Sequence, residues 1–80
     1  MKANNLKRGA KMTISYKKLW VKLAEHEMKK TDLLSFADIS TSTLAKLGKN
    51  QPVKLEILMK ICIAFHCDIG DIMEFLEDKQ

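Results

Sequence analysis

From Tyr16 to Glu27 the apolar residues Leu19, Trp20, Leu23 and Ala24 recur at the spacing of one helical face, with Lys17, Lys18, Lys22 and Glu25 outside it. This pattern predicts a first helix with Ser15 as its cap. Leu33, Leu34 and Ala37 make a second stripe over Lys30 to Ala37, which Asp38-Ile39-Ser40 interrupts. Ser40 has the chemistry of an N-cap, so a third helix is expected to start at Thr41. In that helix Leu44 and Leu47 point inward with Ile39, and Thr41, Ser42, Ala45, Lys46 and Lys49 fall on other faces. Gly48 or Asn50 can end it in the left-handed region. Pro52 stops continuation, and a fourth helix over Lys54 to Phe65 is apolar nearly all round, which belongs in the middle of a domain. Asp68 as cap, Asp71 in the first turn and the face Ile69, Ile72, Met73, Phe75 and Leu76 predict a fifth helix. The expected fold is all-α with five helices.

Composition agrees with one domain of that kind. The chain has 80 residues, 46% hydrophobic and 30% charged, with three Gly and one Pro. That is enough for a single core and too little for two. The first twelve residues lack hydrophobic periodicity and read as a flexible basic arm, leaving 13–80 as the domain. The N-terminus lacks the apolar run of a secretory signal, and the longest apolar run falls short of the roughly 20 residues needed to span a bilayer. Cys62 and Cys67 are therefore expected to be reduced thiols in a cytoplasmic protein. Cys62, His66 and Cys67 adjoin one another, lack a recognisable fourth ligand and diverge poorly for a tetrahedron, so no metal is assigned. No Gly-rich phosphate loop, paired catalytic carboxylates or nucleophile elbow occurs; the reading is of a non-enzyme without cofactor or small-molecule substrate.

Charge adds more. The formal net charge of +4 hides an uneven distribution. Residues 1–12 carry Lys2, Lys7, Arg8 and Lys11 with no acid, and residues 13–54 carry eight lysines against Glu25, Glu27, Asp32 and Asp38. Residues 55–80 reverse the sign, with Lys60 and Lys79 against six acids. The first two-thirds is the end that would face a polyanion. Within it, two short helices joined by a tight turn, the second capped by Ser and exposing hydroxyls and lysines, form a helix-turn-helix pattern.

The stretch KTDLLSFADISTSTLAKL at 30–47, followed by GKNQPVKLEILMKICIAFHCDIGDI, resembles the phage-repressor or Xre-type (Cro/CI-like) helix-turn-helix family over about residues 14–76. The resemblance implies a lambda-repressor-like domain of five helices whose third lies in the DNA major groove. By that resemblance Thr41, Ser42 and Lys46 occupy base-facing positions, and Lys30, Ser40, Thr43 and Lys49 occupy positions that touch phosphate. The chemistry suits those roles: Lys donates to guanine O6 and N7, hydroxyls pair with several base edges, and a helix N-terminus welcomes phosphate. Asp38 stands where the family turn commonly has Gly, Phe36 replaces an exposed basic residue, Leu34 a smaller or polar one, and Ile63 lies where the fourth helix usually exposes a charge. The implied function is a sequence-specific double-stranded DNA-binding transcriptional regulator, a repressor of a bacterial, phage or mobile-element gene. A homodimer is expected, with an interface guessed near Ile63, Phe65, Phe75 and Leu76. The rival is a protein-interaction module, antitoxin-like or adaptor, with Leu34, Phe36 and Asp38 turned toward a partner; the fold alone does not separate them.

Overall fold

A computed structural model describes residues 11–78. The elements run β1 (Lys11–Ser15), α1 (Lys17–Glu25), a 3₁₀ turn (Lys30–Asp32) leading into α2 (Leu33–Phe36), α3 (Thr41–Gly48), α4 (Leu55–Phe65), a second 3₁₀ turn (Ile69–Asp71) and β2 (Glu74–Asp78). The strands pair antiparallel with Met12 opposite Glu77, Thr13 opposite Leu76 and Ile14 opposite Phe75. β1 begins two residues inside the stretch read as a basic arm; the rest of that arm lies outside the described residues.

The expected five-helix, all-α fold is thus corrected: four helices are present among the described residues, and the segment read as a fifth is a single 3₁₀ turn followed by a strand. Asp68 does cap, since Ile69 N–H donates to its Oδ1 at 2.7 Å and Asp68 N–H donates to Asp71 Oδ2 at 3.0 Å. Propagation fails for two reasons. Gly70 is a poor helix former in the first turn, and the carbonyls that would carry the helix are taken by α1. Ile72 O accepts from Leu19 N–H at 3.2 Å, and Gly70 O accepts from Lys18 Nζ at 3.1 Å. β1 then supplies Glu74–Asp78 with the backbone partners a helix would have provided.

The other four helices follow the apolar pattern to within a residue or two at most ends. Leu19 and Leu23 of α1, Leu33 of α2, Leu47 of α3, Leu58 and Ile61 of α4, with Tyr16, Ala37, Ile39, Ile72 and Met73, make one buried core. Ser15 Oγ accepts from Lys17 N–H at 3.3 Å, so α1 starts one residue later than its cap chemistry suggested. Among the described residues, four non-glycine residues turn the chain at positive φ: Glu27 after α1, Asp38 between α2 and α3, Asn50 after α3 and His66 after α4. Each closes a helix where the left-handed conformation lets the last carbonyls find donors. No helix among the described residues is long and apolar enough to cross a membrane.

Candidate nucleic-acid interface

α2 and α3 form the helix-turn-helix. Ala37 N–H and Ile39 N–H donate to Leu33 O at 2.9 Å and Leu34 O at 3.2 Å, ending α2. Asp38, at φ 56°, swings the chain into Ile39, whose buried side chain anchors the turn. Ser40 then begins α3. Its hydroxyl accepts Thr43 N–H at 3.1 Å, donates to Thr43 Oγ1 at 3.0 Å and lies 3.0 Å from Ser42 Oγ.

Burial divides α3 as its sequence suggested. Leu47 is buried and Leu44 half-buried against the core, while Thr41, Ser42, Ala45, Lys46 and Lys49 are exposed. Thr41, Ser42 and Lys46 therefore share the outer side of the helix with unobstructed access to a partner. Among the described residues Lys46 and Lys49 have no ion pair, so both ammonium groups are free to meet a polyanion. Thr43 is half-buried and Ser40 exposed, and both hydroxyls belong to the capping cluster, which leaves them less spare capacity for a ligand than Thr41 has.

Lys30 sits at the entry to α2, exposed, with Nζ 4.3 Å from the centre of the Trp20 ring. The ring face attracts the cation and narrows the volume its flexible stem explores. The sequence placed Trp20 on the apolar face of the first helix and gave no sign of this contact, because residues ten apart on two elements carry no joint signal in the chain.

Lys60 of α4 was missed too. Its Nζ donates to Asp38 O at 3.1 Å and lies 3.6 Å from Asp38 Oδ2. Asp38, which stands where the family turn commonly has Gly, is therefore matched by a cation from another helix, 22 residues away. The loop after α3 is fastened to α1 in a similar way: Asn50 Oδ1 accepts Tyr16 N–H at 3.2 Å, and the buried Tyr16 hydroxyl donates to Gln51 O at 2.8 Å. This clasp fixes where α3 ends relative to the start of α1.

The residues guessed as a dimer interface do not form one surface. Ile63 is exposed on α4, Phe65 is half-buried and tilted against the Phe36 ring at 5.0 Å and the His26 ring at 5.4 Å, and Phe75 and Leu76 point to opposite faces of β2.

Comparison with known proteins adds to this geometry. The model of the Cro/C1-type HTH DNA-binding domain matches residues 18–78. An uncharacterized HTH-type transcriptional regulator of Bacillus subtilis (strain 168), YozG, is 36% identical over 61 residues, covering 74% of this chain and 73% of its own length. The crystal structure of the transcriptional regulator VanUg superposes with a TM-score of 0.81 at 41% identity, covering 98% of this chain and all of the other.

Proposed function

Because this chain belongs to the Cro/C1-type helix-turn-helix DNA-binding family and its relatives are transcriptional regulators, we propose that it represses transcription by sequence-specific binding to double-stranded DNA. α3 enters the major groove. Thr41, Ser42 and Lys46 meet base edges, and Lys30, Ser40, Thr43 and Lys49 meet phosphates. The observation that carries the reading is the outer side of α3, where hydroxyls and an unpaired lysine stand exposed while Leu44 and Leu47 hold the opposite side to the core. Ser42 and Thr41 offer donors and acceptors to several base edges, the Thr41 methyl suits a thymine methyl, and Lys46 donates to guanine. Ser40 and the first-turn N–H groups of α3 suit a phosphate. The protein acts as a homodimer, since one recognition helix covers only a half-site.

The rival reading, a protein-interaction module with Leu34, Phe36 and Asp38 turned toward a partner, keeps Phe36 and Asp38 exposed on this face although Phe36 packs on Phe65 and Asp38 lies beside Lys60; a salt series separates the two.

Selection of bound duplexes followed by titration across a salt series tests the reading. The expected result is an enriched palindrome and a steep fall of log affinity with log salt. Lys46→Ala is expected to cost about 1–3 kcal/mol and relax preference at one base position, whereas Lys30→Ala weakens all sequences alike. Absence of duplex binding at low salt sinks the proposal; an unchanged preference in Lys46→Ala sinks the base assignment alone.

A further inference from the structure

α4 carries an apolar stripe that the core does not use. Leu55, Met59 and Ile63 recur every four residues along its outer side and are 62%, 54% and 71% exposed, against complete burial of Ile61 on the inner side. They border a groove of about 590 Å³ whose far wall is Cys67 and Ile69, the latter also exposed. Contiguous apolar surface of this kind on so small a domain marks an interaction site.

Charges beside the stripe indicate what covers it. Glu56 and Lys60 lie one turn apart on the same flank of Leu55, Met59 and Ile63. When two copies of α4 meet antiparallel across a two-fold axis at Met59, like flanks face each other. Leu55 of each copy meets Ile63 of the other. Glu56, three residues before the axis, and Lys60, one after it, come within about 3 Å of each other along the helix direction, twice by symmetry. A parallel pair would set that flank against the opposite one, where Leu58 and Cys62 offer no charge. Lys60 already reaches Asp38, yet its side chain remains 46% exposed and has donors to spare for a second carboxylate.

We infer that the outer side of α4 is a two-fold interface with a second copy of this chain, formed by Leu55, Met59 and Ile63 and registered by reciprocal Glu56–Lys60 pairs. The apolar stripe supplies the affinity, and the ion pairs fix antiparallel over parallel packing. The inference rests on the DNA reading only for its purpose, the joining of two half-site readers. It is measured without DNA, so the two proposals fail separately.

Sedimentation of the full chain is expected to show a two-chain species that Met59→Glu and Ile63→Glu convert to a folded monomer. Glu56→Lys should weaken association about tenfold, as should Lys60→Glu, and the double exchange should restore it. Cross-linking tests the register without loss of the surface. In a Cys62→Ser, Cys67→Ser background, mild oxidation should join Met59→Cys to its own copy. It should not join Leu55→Cys to itself, since those positions lie eight residues of rise apart, about 12 Å, but should join Leu55→Cys to Ile63→Cys in a mixture. A chain that stays monomeric at its highest soluble concentration overturns the proposal. So does a dimer indifferent to Met59→Glu, or one in which Leu55→Cys links to itself as readily as Met59→Cys.

Discussion

Asp38 combines two local costs, a non-glycine residue at φ 56° and an acid beside the face proposed to meet DNA. Lys60 answers the second and leaves the first. Its 3.6 Å approach to a carboxylate that is 96% exposed contributes little to stability, because water screens such pairs; what it changes is the local field. Asp38→Gly removes both the backbone penalty and the acid. It is expected to raise stability by up to about 1 kcal/mol and to tighten binding to all duplexes alike, more at low salt than at high. Lys60→Ala should do the reverse to affinity, beyond the part it loses through weaker two-chain association, which sedimentation reads separately. Paired titrations of the two variants against one duplex check this, and equal affinities for both would remove Asp38 from the electrostatics of the interface. Ser40 is a contrasting residue, whose three short contacts make it the organiser of the first turn of α3. Ser40→Ala is expected to cost about 1 kcal/mol in urea denaturation and Ser40→Gly only a few tenths.

Between elements, what could be read from the chain depended on how local the deciding interaction was. α1, α3 and α4 were legible because 3.6-residue periodicity, a Ser cap and a Pro stop all act within a few residues. The exposed side of α3 was legible for the same reason, so Thr41, Ser42 and Lys46 could be named before their burial was known. The last segment was not legible. Ile69, Ile72, Met73 and Leu76 fit a helical face, and only the carbonyls claimed by Leu19 and Lys18 and the backbone offered by β1, some 60 residues earlier, turn it into a strand. Lys30 over Trp20 and Asn50 against Tyr16 are likewise decided by the assembled fold. The clasp of Tyr16 on Gln51 gives a measurable case. Tyr16→Phe keeps the buried ring and removes one hydrogen bond, and is expected to lower stability by about 0.5–1.5 kcal/mol. Because α3 ends at that clasp, DNA affinity should fall with it. A loss of stability without any change in binding would show that the loop does not position α3.

At the scale of the whole molecule, the fold keeps its protons where raising the pH is most damaging. Burial pushes the Cys62 thiol up to about 11, with Cys67 beside it and then Asp68 and Asp71 adding to the effect, and burial also raises the Tyr16 phenol. In the unfolded chain a thiol releases its proton near pH 8.5 and a phenol near 10, both about where model peptides do. The native state therefore holds more protons than the unfolded state once the pH passes the lower of these values, and stability falls as pH rises. The contribution from Cys62 is fully present below about pH 8.5 and is lost progressively as pH climbs through about 11; Tyr16 adds a loss that starts higher. Urea midpoints measured from neutral pH upward are expected to stay level and then decline through that window. Cys62→Ser should flatten the earlier part of the decline and Tyr16→Phe the later part, which separates both from the titration of surface lysines. If the wild-type and Cys62→Ser curves run parallel, the thiol is not held protonated by the fold, and the crowding of Cys62 by Cys67 at the end of α4 is looser than the structure places it.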